Sequence, residues 1–164
     1  MGKIIVGSVL LVAALYAVSS YLKRSGDPAP SGGETKKNVE TLGSSKNLPL
    51  VTESAVAYFP GAKGYFARPK EAGEYPGVVM IHENRGLRPE IRTMAEELAK
   101  EGYLVLAVDL YNGQVVETQE EARALSGSFD QAKGTENLKA AAAYLRKQGA
   151  TKLASLGWCF GGRQ

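Results

Sequence analysis

The feature that most constrains this chain lies close to its C-terminal end. Thr151-Lys152-Leu153-Ala154-Ser155-Leu156 reads as a short, mostly apolar strand, and it runs directly into Gly157-Trp158-Cys159-Phe160-Gly161-Gly162. A strand followed by Gly-x-Cys-x-Gly-Gly is the sequence form of a sharp strand-to-helix turn with a nucleophile at its tip, cysteine standing where serine is commoner. Such a turn lifts the nucleophile into strained backbone geometry, and a side chain two residues away would clash, hence the flanking glycines. A helix leaving the turn aims its N-terminus at the thiol, which favours the thiolate. Taken alone, Cys159 also fits a small buried hydrophobe, the usual state of a free cysteine. The glycine frame and the strand before it favour the nucleophile.

The middle of the chain supplies the sheet that such a turn needs. Gly77-Val78-Val79-Met80-Ile81 and Leu104-Val105-Leu106-Ala107-Val108 are continuous apolar runs suited to strands buried on both faces. Between them, Arg88 to Glu101 carries Ile91, Met94, Ala95, Leu98 and Ala99 at helical spacing, closed by Gly102. This is one βαβ unit, with parallel strands and a right-handed crossover. A second helix, Gln131 to Gln148, shows Leu138, Ala141, Ala142 and Leu145 on one face and leads into the strand before Cys159, with a shorter helix at Thr118 to Ser126 ahead of it. Upstream, Ser54–Phe59 and Gly64–Arg68 read as an antiparallel pair around the turn residues Pro60-Gly61-Ala62-Lys63. The fold class is therefore α/β, an antiparallel hairpin leading into parallel βαβ units.

At the exit of the first apolar run sits His82-Glu83-Asn84-Arg85-Gly86. Ligands of open α/β sheets gather outside the carboxyl ends of the strands, which puts Glu83 on the same rim as Cys159. A carboxylate there can hold the thiol or accept its proton, and the backbone N–H groups of Asn84 and Phe160 can form an oxyanion hole. A solvated loop acid is the competing reading of Glu83. His82 reads as a structural histidine at a strand end, and Asp109 as a residue that hydrogen-bonds its own loop.

Three segments in this order carry a resemblance: His82-Glu83-Asn84-Arg85-Gly86-Leu87, Gly102-Tyr103 before a strand ending in Asp109-Leu110-Tyr111, and Gly157-Trp158-Cys159-Phe160-Gly161-Gly162. Together they resemble the dienelactone hydrolase family of α/β-hydrolases, over roughly Leu50 to the end. The resemblance implies a Cys-Asp-His triad in which Cys159 attacks an ester or enol-lactone carbonyl. It implies that Glu83 pairs with the thiol and helps form the thiolate. It also implies that Asn84 and Phe160 supply the amides that hold the oxyanion.

The chain departs from that pattern in two ways. In this fold the acid and the histidine follow the nucleophile, whereas only Gly161 to Gln164 follow Cys159 and the single histidine, His82, precedes it. The family also binds its substrate carboxylate with arginines, one of them early in the helix after the Asp-Leu-Tyr loop. There this chain has the acidic Glu117-Thr118-Gln119-Glu120-Glu121, with Arg123 only nearby, which argues against a dienelactone as substrate. Little more than a hundred residues are left for a fold that commonly needs roughly 200. The expectation is a C-terminally truncated or incomplete hydrolase, a partial domain over residues 50–164 that does not turn over on its own.

The N-terminal residues carry a separate message. Ile4 to Leu22 holds no charge and is rich in Val, Leu and Ala. As a helix it spans about 28 Å, close to the hydrocarbon thickness of a bilayer. Residues 1–24 therefore read as a single-pass membrane anchor, the alternative being a signal removed near Ala17-Val18-Ser19 on export. The flanking Lys3, Lys23 and Arg24 set no firm orientation. Residues 25–49, dense in Ser, Gly, Pro, Lys and Asn, read as a flexible linker reaching about 25–30 Å.

Composition narrows the partners. Lys plus Arg number 20 against 17 acids, a formal charge of +3. The excess comes largely from the terminus and linker, so it marks no nucleic-acid groove. One cysteine excludes an internal disulfide, and one cysteine with one distant histidine offers no zinc spacing. No phosphate-cradling glycine motif is present, so no cofactor is implied. Two classes of function follow: a tethered or exported hydrolase acting on a small ester or lactone, and a non-catalytic membrane-anchored α/β fragment with a reactive thiol.

Overall fold

A five-stranded mixed sheet in the order β1-β2-β4-β3-β5 organises the chain. The computed structural model describes residues 46–164. The anchor expected over Ile4–Leu22 and the linker expected up to Ser45 lie outside the described residues; among the described residues no helix is long and apolar enough to cross a membrane. Strands β1 (Leu50–Phe59) and β2 (Ala62–Pro69) form the hairpin, joined by the two-residue turn Pro60-Gly61. Both strands run beyond the stretch that their sequence suggests. The polar Thr52 and Glu53 hide the start of β1, which is an outer strand with an exposed middle. A bulge between Glu53 and Val56 breaks its alternation, with Ala55 at φ +58°. The last four residues of the expected linker already bind this unit: Leu48 N–H donates to Lys100 O at 3.0 Å and Lys70 N–H to Pro49 O at 2.7 Å.

The parallel part is built from β3 (Gly77–Ile81), β4 (Leu104–Val108) and β5 (Leu153–Gly157), with β3 in the middle pairing in parallel to both neighbours. Every residue of β3 and β4 is buried, as their unbroken Val, Leu and Ile content requires. Helix α1 (Pro89–Lys100) connects β3 to β4; α2 (Gln119–Gly127) and α3 (Gln131–Lys147) connect β4 back past β3 to β5. The two crossovers run in opposite directions along the sheet. Right-handed connections then place α1 and α3 on opposite faces, which is why β3 and β4 are dry on both sides.

Alternation along the strands divides the core. Phe66, Val79, Ile81, Leu104, Leu106 and Val108 join Ala141 and Leu145 of α3 in one cluster. Val78, Met80, Val105 and Ala107 point the other way, the side on which α1 buries Ile91, Ala95 and Ala99. Burying each such aliphatic side chain contributes about 1.5–3 kcal/mol.

Candidate active site at the carboxyl edge of the sheet

Register places the two suspected groups on one rim. Ile81 of β3 pairs with Gly157 of β5, and Glu83 and Cys159 each lie two residues beyond that pair. The parallel strands therefore deliver both residues to the same carboxyl edge, with adjacent strands about 4.8 Å apart.

The backbone at Cys159 has the form that the glycine frame suggests. Cys159 sits at φ +54° between the end of β5 and a short 3-10 turn, Gly161–Arg163, and its thiol is free and exposed. This left-handed conformation is costly for a residue with a side chain. Close backbone approaches hold it in place. A Cβ on Gly157 would lie 2.6 Å from Gly161 O, and one on Gly161 would lie 2.6 Å from Ile81 O and 2.7 Å from His82 O. The turn is closed by Gly161 N–H donating to Trp158 O at 3.0 Å. A 3-10 turn begins where the sequence suggests a helix leaving the turn.

On the opposite wall, Glu83 is half-buried and its Oε2 accepts the Arg85 N–H at 3.0 Å, which fixes the carboxylate in its own loop. The loop is tied further by Val116 N–H donating to Arg85 O at 3.1 Å. Among the described residues, no acceptor engages the N–H of Asn84 or of Phe160.

Beneath this rim lies an aromatic cage assembled from distant parts of the chain. The His82 and Phe160 rings stack with centroids 5.9 Å apart, Tyr111 lies 4.7 Å from His82 and 5.2 Å from Phe160, and Phe129 meets Phe160 edge-on at 4.9 Å. His82 is fully buried and structural, as its place at a strand end suggests. Its Nε2 accepts the Leu110 N–H at 3.2 Å, so the proton sits on Nδ1 and donates to Glu83 O at 2.6 Å. Burial holds its pKa below the ordinary histidine value. The imidazole thus straps the exit of β3 to that of β4 and has no free nitrogen for proton transfer.

A second polar cluster finishes the end of β4, and sequence reasoning anticipated only part of it. Asp109 does bond its own loop, accepting Tyr111 N–H at 3.1 Å, but it also accepts Lys63 N–H at 3.2 Å. The Asp109 N–H donates to the Tyr58 hydroxyl at 2.9 Å, that hydroxyl donates to Asn137 Oδ1 at 2.7 Å, and Asn137 Nδ2 donates to Asp109 O at 3.1 Å. Burial pushes the Tyr58 hydroxyl pKa above the usual phenol range. Tyr58 and Asn137 carried no signal in the sequence beyond a tyrosine in a strand and an asparagine on a helix.

The sequence marks Tyr111 only as the last residue of the Asp-Leu-Tyr segment. Its side chain is buried in the cage, and its pKa is pushed up to about 12, chiefly by burial and then by the charge of Glu83; Arg163 opposes this and Cys159 adds to it. The phenol therefore stays protonated beside the groups of the rim. Arg163 lies over the Phe160 ring, 5.9 Å from its centroid. Arg123, the arginine nearest the family position, is exposed on α2. Arg88 pairs with Glu90 at 3.2 Å and more loosely with Glu117 at 4.0 Å on the surface. Among the described residues no three His, Cys, Asp or Glu side chains gather to hold a metal ion.

Residues 62–164 match the family model described as the dienelactone hydrolase family. A Synechocystis protein assigned as a carboxymethylenebutenolidase is 34% identical over 110 residues, which cover 60% of this chain and 45% of that protein. A Klebsiella pneumoniae structure assigned as a dienelactone hydrolase superposes with a TM-score of 0.63 at 27% identity, over 70% of this chain and 52% of that one. A dienelactone hydrolase-like promiscuous phosphotriesterase from metagenomic libraries gives 0.60 at 30% identity, over 69% of this chain and 51% of that one. The chain thus spans about half the length of these relatives.

Proposed function

The chain belongs to the dienelactone hydrolase family, and from that premise we propose that its 164 residues carry the acylation half of a carboxylic ester or lactone hydrolase, with Cys159 as the nucleophile. The observation that supports this most is the exposed thiol at φ +54°, held between Gly157 and Gly161 where no Cβ fits. Strain of this kind persists only where the surrounding structure over-determines it, and it clusters at reacting groups.

In the proposed reaction Glu83 takes the proton from Sγ and the thiolate adds to the carbonyl carbon. The electron pair of the C=O bond moves to oxygen, and the N–H groups of Asn84 and Phe160 donate to that oxyanion. Collapse expels the alkoxide, which takes the proton back from Glu83 and leaves a thioester on Cys159. Hydrolysis of the thioester requires a base to activate water. That base is most often a histidine. No histidine follows Cys159 in these residues, and both ring nitrogens of His82 are engaged.

Incubation with an activated aryl ester tests the reading. One equivalent of phenol per chain is expected, with the acyl group on Cys159, and none from Cys159→Ala. Sustained turnover lost on Cys159→Ala would instead reveal a working base within these residues, and equal release from wild type and Cys159→Ala would remove Cys159 from the chemistry. Joining the chain to the C-terminal half of a family member should convert the single equivalent into multiple turnovers.

The uncharged run Ile4–Leu22 further supports a membrane-tethered placement, with export after signal cleavage as the alternative. Carbonate extraction separates the two: retention in the membrane fraction supports the tether, and release of a shortened chain supports cleavage.

A further inference from the structure

Tyr111 carries an atom that its packing does not explain. Its ring packs with His82, Phe160 and Phe129. Its backbone N–H is used by Asp109. Its hydroxyl oxygen, however, is buried and has no hydrogen-bond partner among the described residues, although the residue is only 4% exposed. A phenylalanine would fill the same space without leaving a buried polar atom unpaired, a situation that proteins generally avoid.

The surroundings of the Tyr111 ring point to a use for that oxygen. The ring packs against both His82, the neighbour of Glu83, and Phe160, the neighbour of Cys159. The hydroxyl also feels the charges of both. Both walls of the rim thus reach Tyr111 through these neighbouring rings. The other charged or titratable groups here are Arg163 on the 3-10 turn and the neutral His82. Neither donates to a sulfur at this place: His82 spends its proton on Glu83 O, and Arg163 lies over the Phe160 ring.

Resting on the reading of Cys159 as nucleophile, we propose that Tyr111 is a positioning residue whose hydroxyl donates a hydrogen bond to the Cys159 thiolate. When Sγ gives its proton to Glu83, the sulfur gains the negative charge and turns toward the waiting phenol. The phenol keeps its own proton throughout. The unpaired state of the hydroxyl is then the resting state of a donor that finds its acceptor only after ionisation. A donor spent on a partner in the fold would have nothing left to give.

The test needs no ester. Alkylation of the 164-residue chain by iodoacetamide is followed from about pH 6 to about pH 10, since only the thiolate reacts. Tyr111→Phe should slow alkylation near neutral pH by roughly tenfold, equivalent to one unit in the midpoint, and the difference should close at the alkaline end where both thiols are ionised. Circular dichroism and the denaturation midpoint should be unchanged, because the deleted oxygen has no partner in the fold. Phe129→Leu loosens the same cage without touching the hydroxyl and should leave the pH profile in place.

An unchanged profile in Tyr111→Phe, a uniform slowing at every pH, or an equal shift in Phe129→Leu would each overturn the proposal. Acylation by the aryl ester, scored in parallel, keeps the two readings apart. Failure to acylate with the expected alkylation shift sinks the hydrolase and leaves Tyr111 standing. Acylation with an unchanged profile sinks Tyr111 alone.

Discussion

The aromatic cage under Cys159 and the helix α2 stand close in the chain and are built on opposite principles. The cage draws His82, Tyr111, Phe129 and Phe160 from four separate segments. Helix α2, at Gln119–Gly127, buries only Ala122 and is started by a capping box inside four residues: Thr118 Oγ1 accepts the Glu121 N–H at 3.2 Å, and Glu121 Oε2 accepts the Thr118 N–H at 3.1 Å. One region is held by contacts between distant residues, the other by contacts between neighbours. The first supports the strained turn; the second spans a connection. Mutations should therefore act globally in the cage and locally in α2.

Phe160→Ala is the severest way to probe that difference. The ring is 1% exposed and touches His82, Tyr111 and Phe129. Its truncation should cost about 3–5 kcal/mol in urea unfolding, as large-to-small aromatic changes in cores do. A loss below about 1 kcal/mol would show that the cage is not a unit. Gly134→Ala should come next. On an exposed helix this change gains about 1 kcal/mol, but a Cβ here would lie 2.3 Å from Cζ of Phe129. Expelling that ring should turn the gain into a net loss of about 1–2 kcal/mol, and a stabilised variant would contradict the packing described.

His82 gives the cage a pH dependence. Its folded value lies below the unfolded one because burial disfavours the charged form. A second proton would also have to enter at Nε2, where the Leu110 N–H already points. The unfolded chain therefore binds the proton first. Stability is fully present above the unfolded value of about 6.5 and falls as pH drops below it, by up to about 1.4 kcal/mol per unit until the folded value is reached. Unfolding free energies taken between about pH 7.5 and pH 5.5 should show this slope, and His82→Gln should flatten it. An equal slope in the variant would assign the effect to the carboxylates.

The same division explains what could be read from the sequence. The strands β3 and β4 are legible as unbroken apolar runs because both their faces are buried, and α1 and α3 by helical spacing because one buried face imposes its period on local residues. The turn at Cys159 was legible because close backbone approach leaves only glycine at positions 157 and 161. The start of β1 was not, since an outer strand with a bulge loses its alternation. Nor was the network of Tyr58, Asp109 and Asn137, whose longest bond joins residues 79 apart. The orphaned hydroxyl of Tyr111 was equally hidden, for it is defined by what surrounds it in space.

Thr118→Ala closes the comparison with the smallest effect. It removes the side chain that accepts the Glu121 N–H and donates to Glu121 Oε2 at 2.7 Å. Replacing such a cap costs about 1 kcal/mol of helix stability. Because α2 buries so little, that cost should appear as faster amide exchange within α2, with the cage and the pH profile of Cys159 alkylation unchanged. Glu121 offers an orthogonal reading. Its hydrogen bonds to Thr118 hold its pKa below the usual carboxylate value, so the cap is present above the unfolded value and is lost as pH falls through the folded one. In Thr118→Ala that acid-side loosening of α2 should vanish. If Thr118→Ala instead shifts the alkylation profile of Cys159, α2 is coupled to the site, and the division between a tertiary cage and a locally held helix fails.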